Sequence, residues 1–259
     1  MKDVAADPNA LQEHIAGTYF SLRWGIAILG ILLPVALGVG GFVLDPAPDN
    51  HLRTSMSAYY WSHAMRNVFV GGLITIGAFL YLYKGFSRAE NWALNLAGVL
   101  AVCVALVATR KHDETGPPLT WHGTFAVLFF LAIAFVCIRC APDTLSLVTD
   151  PRRAARLKRT YHVLGWAMVL LPLGVAVFGT AVWRNGESPV KFFLEAAGVW
   201  VFGAYWGVKS LELRKTSAVQ LALEKKLLAG GHKHNEIGRI GHVAPPQGGM
   251  APMPDGGAA

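Results

Sequence analysis

The chain has 259 residues and a formal net charge of +7, is 53% hydrophobic and only 15% charged, and its mean hydropathy is positive. A soluble domain of this size has no use for so much apolar surface, which sets the ordinary soluble classes aside in favour of a membrane protein. Three cysteines, an odd number, are too few for a disulfide scaffold.

Residues 1–20 are polar and include Asp3, Asp7 and Glu13, the wrong charge for the basic start of a cleavable signal peptide. The apolar run that follows exceeds an h-region of about 7 to 15 residues. The expectation is a retained anchor behind a cytoplasmic N-terminal segment, 1–20. Apolar runs occupy 24–44, 67–83, 92–109, 122–138, 161–182 and 190–208, each near the about 20 helical residues that cross a hydrocarbon core. None alternates with period two, so the backbone polar groups must be satisfied within helices and not in a barrel. The expected fold is all-α: a polytopic bundle of six transmembrane helices over 21–209, a cytoplasmic helical extension over 210–228 and a disordered tail over 229–259. The extension, with leucines among lysines, is expected to lie on the membrane or pair with another chain, as in a homo-oligomer or membrane complex. The tail is rich in Gly, Pro and Met and lacks an apolar period.

Lys and Arg set the orientation. With the N-terminus inside, the inner segments carry 17 of them and the outer loops 6, so the positive-inside rule places both termini in the cytoplasm. The net charge then needs no nucleic-acid partner. "DPRRAARLKR" (150–159) reads as a basic loop beside anionic headgroups of the lipid bilayer.

This topology gathers polar chemistry at the outer surface. "TSMSAYYWSHAMRN" (54–67), the loop 110–122 with His112, Asp113 and Glu114, and the loop 183–195 all lie there. The second, fourth and sixth helices start on that side, so three positive dipole ends face it and favour an anion. Ser188 and Pro189 read as the N-cap and first-turn proline of the sixth helix. Glu195, about one and a half turns into that helix, is the acid set well inside an apolar run. A buried carboxylate needs a partner, and Arg66, at similar depth on the second helix, is the first candidate. Such a pair either fixes packing or serves chemistry.

Two readings of the outer cluster follow. In one, Arg66, Tyr60, Asn67 and Lys191 bind, or help to move, an anionic lipid headgroup or small anion, with no cofactor. In the other, His63, His122 and Glu195 hold zinc with one position open for water, or act as acid and base, in a membrane-embedded hydrolase of a lipid or amide; Ser57 or Tyr60 stabilises the oxyanion. No local HExxH-type spacing supports the metal set. Tyr59, Tyr60, Trp61, Trp121 and Trp183 also suit an interfacial aromatic belt. "CIRC" (137–140) lacks the strand-turn-helix setting of a redox motif, so free thiols are expected at Cys103, Cys137 and Cys140. Gly71, Gly72 and Gly77, and the G-x-x-x-G of Gly203 and Gly207, mark close helix approaches. Asn95 and His162 are expected to hydrogen-bond between helices.

"SAYY" followed by "MRNVFVGG", then "NLAG" (95–98), "WHGTFAVLFF" (121–130), "RTYHVLG" (159–165) and "FFLEAAGVWVFGAYWGVK" (192–209) together resemble a family of bacterial six-helix integral membrane proteins of uncharacterised function. The resemblance spans about 54–209 and implies a multi-pass protein of the bacterial inner membrane. Where that family carries an acid after the arginine of "MRNVFVG", this chain has Asn67, which removes one candidate base or ligand. A looser similarity runs to alkaline ceramidases and adiponectin-receptor-like membrane hydrolases, whose Ser-x3-His and His-x3-His spacings are absent here.

Overall fold

A computed structural model describes residues 8–44, 52–110, 120–181 and 190–216, with side chains from residue 176 to 181 and at 8, 9, 11 and 12 left aside. Its six long helices are α1 (Pro8–Leu44), α2 (Met65–Leu82), α3 (Arg88–Leu106), α4 (Trp121–Phe135), α5 (Pro151–Ala181) and α6 (Val190–Thr216). There is no strand among the described residues. Four helical stretches are long and apolar enough to cross a membrane: Glu13–Leu44, Met65–Leu82, Arg88–Leu106 and Trp121–Leu147. Both α5 and α6 are long enough, at 31 and 27 residues, but less apolar along their length.

The apolar runs fall on these helices, yet three helices outrun them. α1 begins at Pro8 and not near residue 24, α5 begins at Pro151 and not near 161, and α6 continues to Thr216. Hydropathy registers only the greasy part of a helix, whereas hydrogen bonding propagates through the polar turns beyond it.

Each helix packs on its neighbours in the chain, and α6 returns to pack on α1, so the six close into a ring. One end carries the start of α1 and the end of α6; we call it the terminal end. The other, the loop end, carries a short 3-10 helix, Ser57–Trp61, between α1 and α2.

Inside the ring the core runs through Ile26 and Leu37 of α1, Phe69 and Ile76 of α2, Ile133 of α4, Met168 of α5 and Phe202 of α6. Outside it, Leu32, Val39, Phe42, Leu96, Val163 and Leu170 are exposed. Bare apolar surface on this scale, on several helices at once, is what a lipid-facing wall requires and water does not tolerate.

Local chemistry fixes the helix ends. Ser87 and Thr120 are the N-caps of α3 and α4, accepting from the backbone N–H of Glu90 and Gly123. Past Phe135, α4 loosens into a π-turn, Val136–Cys140, and then a 3-10 turn, Ala141–Leu147. All three cysteines are free thiols, with Cys137 and Cys140 buried.

Candidate functional site

At the loop end, Glu195 reaches from α6 to the start of the 3-10 helix. Its Oε2 accepts from the backbone N–H of Met56 at 2.8 Å and of Ser57 at 3.3 Å, while Oε1 lies 3.9 Å from Lys191 Nζ. The expected pairing with Arg66 is therefore not made. The first N–H groups of a helix have no internal acceptor, and a carboxylate that meets them gains charge-assisted bonds without ordering a long cation. Arg66 instead lies over the Tyr60 ring, 4.6 Å from its centroid, and donates from Nη2 to the Tyr60 hydroxyl at 3.2 Å.

The remaining candidates are placed as follows. Ser57 is buried, its Oγ 3.1 Å from Ser55 Oγ, and Ser55 Oγ accepts from Ala58 N–H. His122 is buried in the first turn of α4 with Nδ1 2.9 Å from the Val107 carbonyl, and its ring stacks on Phe69. A carbonyl only accepts, so Nδ1 bears the proton there. His63 and Asn67 are exposed. His63, His122 and Glu195 do not come together as a group able to hold a metal ion, and no such group of three occurs among the described residues. The expected zinc set is thus not assembled: His122 turns toward α3 and Glu195 toward the 3-10 helix. His112, Asp113, Glu114, Ser188 and Pro189 lie outside the described residues.

Gly40 and Gly41 seat this end on α1, since a Cβ on either would run into Met65 or Tyr59. Trp61 Nε1 donates to the Thr109 carbonyl at 2.9 Å, tying the loop to the end of α3. Four basic side chains, Arg53, Arg66, Arg110 and Lys191, stand at this end against one carboxylate, Glu195, among the described residues.

The terminal end holds a denser polar cluster that the sequence reading did not foresee. Lys209, 1% exposed, donates to the Ala141 carbonyl at 2.7 Å, to Thr144 Oγ1 at 2.5 Å and to Glu212 Oε2 at 2.8 Å. Thr144 in turn donates to Glu212 Oε1, and the Tyr161 hydroxyl donates to Oε2. Every N–H of the ammonium has an acceptor, and both carboxylate oxygens are taken, so this is a closed lock joining α4, α5 and α6.

Beside it, Arg23 is 1% exposed and enclosed by aromatic rings, its guanidinium carbon 4.9 Å from the Trp206 centroid, 5.1 Å from Tyr83 and 5.9 Å from Tyr19. Nε donates to Ser210 Oγ at 3.2 Å and Nη1 to the Tyr83 hydroxyl. The Tyr19 and Tyr83 hydroxyls bond to each other, and Tyr19 donates to the Lys84 carbonyl at 3.2 Å. Glu90, also buried, accepts from Phe86 N–H at 2.8 Å in the first turn of α3.

Arg23 and Lys209 thus belong to the interior and not to the basic flank expected of the inner segments. A signal was present: Trp206, Ser210 and Leu213 follow one another at helical spacing, so the apolar stripe of α6 runs past residue 208 and carries Lys209 and Glu212 with it. The extension expected from 210 is in its first turns core, with Ser210, Glu212 and Leu213 at most 1% exposed. Asn95 Oδ1 is buried without a partner, and His162 bonds the Lys158 carbonyl of its own helix, so neither makes the interhelical bond expected of it.

No family of known proteins, no curated protein and no solved structure matches the chain.

Proposed function

We propose that the chain is a six-span protein of the bacterial inner membrane with both termini cytoplasmic, and that its outward-facing loop end binds, or helps to move, an anionic lipid headgroup or small anion. Arg66 is the anchor, with Tyr60, Asn67 and Lys191 around it. The observation that carries this reading is Arg66 itself: an exposed guanidinium held in place by the Tyr60 ring and hydroxyl, with no carboxylate bonded to it among the described residues. An ordered cation with no bonded carboxylate among the described residues, at an end where the described basic side chains outnumber the described acids, is built to meet an external anion. Bidentate capture of a phosphate or carboxylate suits its fork, and the interface setting favours a headgroup.

Native mass spectrometry of the detergent-solubilised full chain with phosphatidylglycerol and phosphatidylcholine tests this. The parent is expected to retain phosphatidylglycerol preferentially, and Arg66→Gln to retain about fivefold less, one basic contact being worth about 1 kcal/mol. Competition by inorganic phosphate would mark a small anion as the natural occupant. Equal retention by parent and variant overturns the reading.

A further inference from the structure

We propose that the terminal end contains a second, buried site for a small oxyanion, anchored on Arg23 and Trp206, with Tyr19 outermost. It is independent of the loop-end reading.

Two donors carry the inference. Arg23 Nη2 and Trp206 Nε1 are both buried and both without a hydrogen-bond partner, and the guanidinium lies against that same indole. Buried N–H groups are nearly always satisfied, so two orphans in one contact call for an explanation. The aromatic rings offer the cation their faces, but those faces are weak acceptors and carry no net charge.

No carboxylate balances Arg23 at contact distance among the described residues. Glu90 has turned Oε2 to Phe86 N–H. Glu212 is committed to Lys209, Thr144 and Tyr161. Glu90 offsets the Arg23 charge through space without touching it, so what is left unmet is the guanidinium's own N–H. A buried arginine with an unmet donor inside a membrane protein marks a function by default. An oxyanion supplies what these two N–H groups lack: acceptor capacity with no competing donor. Phosphate and carboxylate share this chemistry, whether free or on a lipid.

A guanidinium only donates, so the Tyr83 oxygen accepts from Nη1; the same oxygen is bonded by the Tyr19 hydroxyl, which also lies 3.2 Å from the Lys84 carbonyl. Tyr19 is half-buried and Lys84 exposed. Tyr19 is therefore the outermost member of the hydroxyl chain that ends on Arg23.

The test is thermal unfolding of the detergent-solubilised full chain in sodium phosphate against sodium chloride at matched ionic strength and pH, with phosphatidylglycerol against phosphatidylcholine nanodiscs as the lipid arm. A ligand that binds only the folded state raises the midpoint in proportion to the logarithm of its concentration over Kd. The parent is expected to show that rise. Trp206→Phe, which keeps an aromatic ring but loses the N–H, and Arg23→Lys, which keeps charge but loses the fork, should each bind about tenfold more weakly, as for loss of a charge-assisted hydrogen bond. The same series is run in an Arg66→Gln background, where the loop end no longer contributes, so the rise that persists there belongs to this site and is the one that Trp206→Phe and Arg23→Lys must diminish. A rise with phosphatidylglycerol alone assigns the site to a lipid. No rise in the parent with either probe, or an undiminished rise in Trp206→Phe, overturns the proposal.

Discussion

Lys209 and Glu212 stand three residues apart on α6, a spacing that on an exposed helix contributes only a few tenths of a kcal/mol. Buried, the same pair governs much more, because removing either member strands a charge or several polar groups in an apolar interior. Lys209→Met and Glu212→Leu are each expected to destabilise the fold by about 3 to 5 kcal/mol, and the double variant by clearly less than their sum. Denaturant titration in detergent checks this, and singles as stable as the parent would remove the lock from the account. Neither the lock nor the Arg23 cage was legible residue by residue: a lysine or arginine at the edge of an apolar run reads as a snorkelling flank, and only the neighbouring helices decide that it is covered. Glu195 was legible in part. Its place in an apolar run implied a protein partner, but a backbone acceptor site on a loop has no sequence signature that names the carboxylate filling it.

Helix approach is set by glycine, and not every glycine takes part. A Cβ on Gly30 would lie 3.0 Å from Gly203 Cα, and one on Gly203 would lie 3.0 Å from the Ala27 carbonyl oxygen, so α1 and α6 touch backbone to backbone. Between α2 and α3, a Cβ on Gly77 would meet the Gly98 carbonyl oxygen at 2.7 Å. Gly71 and Gly207 have nothing within 4 Å. Of the G-x-x-x-G pair, therefore, Gly203 is the packing residue. Gly203→Val should force α1 and α6 apart at a cost of about 1 to 3 kcal/mol, whereas Gly207→Ala should shift stability by no more than about 0.5 kcal/mol. Unfolding midpoints of the two variants decide the matter, and equal losses would contradict it. Existence and order of the helices were readable because long apolar runs dominate the signal; their true starts at Pro8 and Pro151 were not, because polar turns carry no hydropathy.

For the molecule as a whole, the ring of helices separates two polar ends with an apolar wall between them. The described terminal end presents Lys84, Arg88, Arg139, Arg152, Arg156, Lys158, Arg159, Arg214 and Lys215 on its surface, so the basic belt persists after Arg23 and Lys209 are moved inside. If that end is cytoplasmic, a membrane-impermeant maleimide applied to intact cells should label His63→Cys and leave Glu13→Cys untouched until permeabilisation. Both positions are exposed, and a Cys103→Ser background removes the half-buried native thiol. The reverse pattern would invert the topology and turn the Arg66 surface toward the cytoplasm.

The sequence by itself determined the all-helical class, the number and order of the long helices and the asymmetry of charge between the two ends. Those properties follow from local composition, because a membrane-spanning backbone must satisfy its own hydrogen bonds and basic residues collect on one side. Only the tertiary structure decided which charges are buried and what they touch. Glu195 caps a 3-10 helix, Arg66 rests on Tyr60, Lys209 locks three helices, and Arg23 sits among three aromatic rings. Each of these contacts joins residues through space, where the cost of an unsatisfied polar group selects one partner among many that the sequence leaves equally available.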